Sequence, residues 1–67
     1  MAQTRQEQLL NFVPSYRAGY VSAGGRDSDL HSDEAIAKKM EERDVHNESQ
    51  AEQAGREDGS EQRWGKK

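Results

Sequence analysis

The run Leu9-Leu10-Asn11-Phe12-Val13-Pro14-Ser15-Tyr16-Arg17-Ala18-Gly19-Tyr20-Val21 holds most of the side chains with which this chain can adhere to anything. Leu9, Leu10, Phe12, Val13, Tyr16, Tyr20 and Val21 all fall inside it. The rest of the 67 residues offer only Met1, Leu30, Ile36, Met40, Val45 and Trp64 as large apolar side chains. How this cluster is buried decides the fold. It either docks on another molecule, or forms a miniature core with Ile36 and Met40 folded back onto Leu9, Phe12 and Tyr16.

On the N-terminal side of the run, Thr4-Arg5-Gln6-Glu7 reads as a capping box: the Thr4 hydroxyl caps the Glu7 amide and the Glu7 carboxylate reaches back. A short helix from Arg5 to about Phe12 follows. Pro14 pushes Val13 towards an extended conformation and ends that helix, and it also suits the first position of a new one, where its missing N–H is no loss. Residues 15–23 stay open between helix, with Tyr16, Tyr20 and Ala23 along one side, and an extended segment, because Gly19 weakens a helix at its middle.

On the C-terminal side, Gly24-Gly25 stops whatever precedes it and Arg26 to Ser32 reads as a polar connector. Ser32 is an N-cap for a longer charged helix over residues 33–54, with Asp33 and Glu34 near its positive end. Glu34–Lys38 and Lys38–Glu42 are spaced for i,i+4 ion pairs. The apolar stripe of this helix, Ile36 and Met40, gives way to Arg43 and Asn47, too short for a coiled coil. Gly55 is the expected stop. Residues 55–67, rich in glycine and charge with Trp64 alone among them, read as a disordered tail. The expected fold class is therefore mostly α with substantial disorder: an apolar docking segment with a short helix (1–23), a Gly-Gly connector and polar linker (24–32), one charged amphipathic helix (33–54) and the tail (55–67).

Composition narrows the function. Hydrophobic residues make up 30% of the chain and charged ones 34%, and there is no cysteine, so disulfides and thiolate metal sites are excluded. Mean hydropathy is -1.31. A chain this short has little interior, and small domains without disulfides or metals commonly depend on a partner. No apolar run has the length of a membrane span and no signal peptide opens the chain, so a soluble cytoplasmic protein is expected. The net charge of -3 resides in residues 32–67, where seven basic and ten acidic groups alternate, while residues 1–31 balance to zero. Interspersed signs suit a solvated surface rather than a phosphate-binding stripe, which disfavours nucleic acid.

Site motifs fail one by one. The acidic run Asp27 to Glu34 lacks the EF-hand glycine and glutamate; counted from Asp27, those places are Ser32 and Lys38. Gly19 to Arg26 has the glycine spacing of a P-loop, but Gly25 and Arg26 stand where lysine and a hydroxyl are needed. His31 and His46 lack a third spaced ligand, so no metal or other cofactor is expected. No nucleophile–base pair stands out, and no carboxylate has an evident apolar pocket to tune it for acid–base work. Arg63-Trp64-Gly65-Lys66-Lys67 is a weak stacking-plus-charge footprint beside Glu57, Asp58 and Glu61.

What remains is adhesion. The expectation is a small non-enzymatic regulator or inhibitor that docks Leu9, Leu10, Phe12, Val13, Tyr16, Tyr20, Val21, Ile36 and Met40 onto a larger protein partner, Tyr and Phe being common binding anchors. Two alternatives stand beside it. Six glycines, one proline, no cysteine and low hydropathy resemble the composition of hydrophilins, mainly over residues 22–67, which implies a disordered stress-protective chain with no particular partner. A homo-oligomer pairing its own segments 9–21 is the other.

Overall fold

The computed structural model describes residues 4–61 and Trp64, and every regular element among them is helical. Helix α1 spans Arg5–Asn11, α2 Val13–Ser22, α3 Asp33–Glu42 and α4 Glu48–Glu61, with a 3-10 turn at Asp27–Asp29. The mostly helical expectation holds. The layout differs in its details.

Local chemistry accounts for the starts. The Thr4 hydroxyl accepts the Glu7 N–H at 3.1 Å and the Glu7 carboxylate accepts the Thr4 N–H at 3.0 Å, the complete capping box. The Thr4 backbone N–H first, and then the Thr4 side chain, hold the Glu7 carboxyl below its usual range. Pro14 stands in the first turn of α2 and Val13, expected to be extended, instead opens that helix; the apolar run is two helices with a break at Phe12, and residues 15–22 are helical. The Ser32 hydroxyl accepts the Ala35 N–H at 3.3 Å and starts α3. The Asn47 side chain does the same for Gln50 at the head of α4, at 2.8 Å.

The stops are a matched pair. After α2, Gly24 adopts φ 104°, its N–H bonding the Val21 carbonyl and that of Gly25 the Tyr20 carbonyl, both at 3.0 Å. After α3, Asp44 adopts φ 59°, its N–H bonding the Glu41 carbonyl and that of Val45 the Met40 carbonyl, both at 3.1 Å. Both are Schellman motifs, and buried Val45 and Met40 join the same core, as this cap favours. The single helix expected over 33–54 is thus two, because aspartate tolerates the left-handed region and breaks the chain without glycine or proline.

Gly55 does not stop α4. The helix continues to Glu61 because Gly55 and Gly59 face α2. A side chain at Gly55 would strike the Tyr16 carbonyl, one at Gly59 the Tyr20 carbonyl, and one at Gly19 the Glu52 carbonyl. Buried Ala51 precedes Gly55 by one further turn. Small residues four apart let two parallel helix backbones lie in direct contact, a geometry suited to Cα–H···O contacts. The helical propensity lost at each glycine is offset by that approach. The tail expected at 55–67 is therefore helix as far as 61; residues 62, 63 and 65–67 lie outside the described residues.

The core gathers Leu9, Val13, Tyr16, Tyr20, Ile36, Ala37, Met40, Val45, Ala51 and Ala54, with Leu10, Phe12, Leu30 and Trp64 packed on its margin. Of the adhesive residues in the organising run, only Val21 is well exposed, at 48%. No described helix is long and apolar enough to cross a membrane.

Candidate docking surface

The aromatic pair Tyr16–Tyr20, one turn apart on α2, stacks with ring centroids 6.5 Å apart and leads to a buried polar cluster. The Tyr16 hydroxyl donates to the Asp58 carboxylate, whose side chain is 0% exposed. Arg43, the C-cap of α3, donates to the other Asp58 oxygen at 2.6 Å and to Glu57 as well. Trp64 closes the cluster by donating its indole N–H to the Tyr16 hydroxyl at 2.9 Å. Burial first, then the hydrogen bond to Asp58, pushes the Tyr16 phenol well above the usual tyrosine range. The phenol, the carboxylate and the guanidinium together tie α2, α3 and α4.

Other charges are similarly committed to the fold. Arg17 bridges Asp27 and Asp33, each at 3.0 Å, joining α2 to the start of α3. The hydrogen bond it donates to Asp33 is the main reason its guanidinium is held further towards the charged form. The acidic run that resembled a metal loop is thus partly spent on an internal cation. His46 lies beyond α3, 3.0 Å from Asp44 and 3.2 Å from Arg5. Gly19, the first glycine of the P-loop-like run, is sealed against α4.

Two open surfaces flank α3. On one side, Gln6 and Leu9 of α1 face Glu34, Ala37, Lys38 and Glu41 across a groove of about 290 Å³. On the other, Trp64 and His31 face Ala35, Lys38, Lys39 and Glu42 across a recess of about 330 Å³. Lys38 borders both. His31 meets the Trp64 ring edge-on at 4.8 Å between centroids, and the Lys39 ammonium lies 5.0 Å from that ring's centre. Neither i,i+4 pair expected of Lys38 closes to an ion pair among the described residues, and neither lysine has a salt bridge there.

Family models, curated proteins and solved structures give no match to this chain. Its function has to be read from its own surface.

Of the nine residues expected to dock, Leu9, Val13, Tyr16, Tyr20, Ile36 and Met40 are buried in the chain's own core, and Leu10 and Phe12 are half-buried against it. Only Leu9 also reaches a groove, as part of its floor. Trp64, His31, Lys38 and Lys39 do not stand out as a group along the sequence. The signal that could have found them is the Ala51-Gly55-Gly59 spacing, which carries α4 onward and returns Trp64 to α2 and α3.

Proposed function

We propose that this chain is a small non-enzymatic protein-binding regulator or inhibitor that presents α3 to a larger protein partner as a preformed ridge between two grooves. The observation that supports this best is the pair of grooves sharing Lys38, one floored by Leu9 and Ala37 and the other walled by Trp64. Such a surface offers apolar floor, an aromatic anchor and an unpaired charge within one helix width, a mixture common at protein interfaces. Docking on a prefolded helix avoids the ordering penalty that a segment folding on contact would carry. A closed core is also more than a purely solvating, hydrophilin-like chain requires, which is why docking is preferred.

The test is co-purification from native cells with the tagged chain, Lys38→Glu, and Gln53→Glu on the exposed face of α4 as a charge control. One dominant protein should be recovered with the intact chain and the control, and about tenfold less of it with Lys38→Glu, because a like charge at an interface opposes binding strongly. Circular dichroism should show all three equally helical. Equal recovery with Lys38→Glu and with the intact chain, or no specific protein with either, overturns the proposal.

A further inference from the structure

Resting on the docking reading above, we propose that the recess between α3 and Trp64 binds an acidic segment of the protein partner. The chain carries a net charge of -3, yet this recess is bordered by Lys38 and Lys39 against the single carboxylate of Glu42, a local excess of one positive charge with His31 neutral. Arg5, Arg17, Arg43 and Arg56 each spend their charge on an ion pair within the fold. Among the described residues, Lys38, Lys39 and Arg26 do not; of the two lysines at the recess, Lys38 is exposed and the Lys39 ammonium lies over the Trp64 ring.

The chemistry of the walls selects the occupant further. Trp64 is held by its N–H to Tyr16, by the His31 edge and by Lys39, so its ring is a fixed apolar wall rather than a floating side chain. Ala35 leaves room beside it. A carboxylate meeting Lys38 and Lys39 while a neighbouring apolar side chain lies on the indole satisfies both features at once. A nucleic acid would also find cations and a stacking ring, but two lysines and one ring are a short track for a phosphate backbone.

Trp64 is the chain's single tryptophan, so its emission reports directly on the recess. The probes are a short capped peptide of alternating glutamate and leucine, the same peptide with glutamine for glutamate, and oligo(dT). The glutamate peptide should shift the Trp64 emission saturably, more weakly as salt is added, since surface charge pairs are screened. Lys39→Gln should weaken it about fivefold, the scale of one partly exposed cationic contact. The glutamine peptide and oligo(dT) should leave the emission unchanged. Equal response to the two peptides, a stronger response to oligo(dT), or no response to the glutamate peptide overturns the proposal. Lys39 borders this recess and not the α1–α3 groove, which separates two failures. A native partner that is lost with Lys38→Glu but kept with Lys39→Gln defeats the acidic-segment inference and leaves the docking reading standing. A partner indifferent to both substitutions defeats the docking reading itself.

Discussion

Tyr16 is the residue on which the most separate demands meet, since its ring fills the core and its hydroxyl joins Asp58 to Trp64. Tyr16→Phe keeps the ring and removes only the oxygen, so the Trp64 N–H loses its acceptor and the cost should be about 1–3 kcal/mol. Asp58→Asn should be worse still, because it puts a neutral amide in the buried position that accepts from both the Tyr16 hydroxyl and the half-buried Arg43 guanidinium. Urea midpoints ranked intact, Tyr16→Phe, Asp58→Asn would agree; the reverse order would show that the charged pair is not what holds the cluster. The phenol also sets an alkaline limit. Its folded pKa is raised above the ordinary 10.0, so its contribution is fully present below pH 10.0 and is lost as pH rises towards the folded value, where the unfolded chain ionises and the native one does not. Phenolate absorbance should show Tyr16 titrating only as the protein unfolds. Glu7 behaves in the opposite sense: its folded pKa is depressed below 4.5, so the capping box supports α1 above that pH and loosens as pH falls through the folded value. Thr4 amide protection followed with pH would check it.

Between elements, the contact of α2 with α4 reverses a familiar rule. Glycine to alanine inside a helix ordinarily gains about 1 kcal/mol. Gly55→Ala should instead lose about 2 kcal/mol or more, because the new methyl meets the Tyr16 carbonyl, a backbone atom that cannot swing aside. A denaturation midpoint for Gly55→Ala above that of the intact chain would show that the helices are not in backbone contact. The same glycines explain what the sequence conceals. Thr4, Glu7, Pro14 and Ser32 act through neighbours three or four residues away, so the two N-caps and the break within the apolar run can be read directly. Gly55 and Gly59 act through a helix some forty residues distant in sequence. Read locally they mean a stop; read as a repeat of small residues four apart they mean a contact. Asp44 misleads in the other direction, since nothing in an unbroken charged run marks an aspartate that will turn left-handed. The recess beside Trp64 depends on both features, which is why its residues look unrelated along the chain.

For the molecule as a whole, Trp64 links the end of the described chain to α2 and α3 at once. Its emission and the helical circular dichroism signal should therefore change together on heating, as one cooperative transition. An emission change at a clearly lower temperature would mean that Trp64 leaves its site while the core persists, and the recess would then be an occasional feature.

The backbone contact between α2 and α4 also has a kinetic meaning. It joins segments far apart in the chain, so a large loop must close before it can form. Backbone set directly on backbone offers little to attract the helices until Tyr16, Tyr20, Ile36 and Met40 have already brought them near. The glycine seam is then a late event on the way in and an early one on the way out. Gly55→Ala should leave the refolding rate almost untouched and shorten the lifetime of the native state.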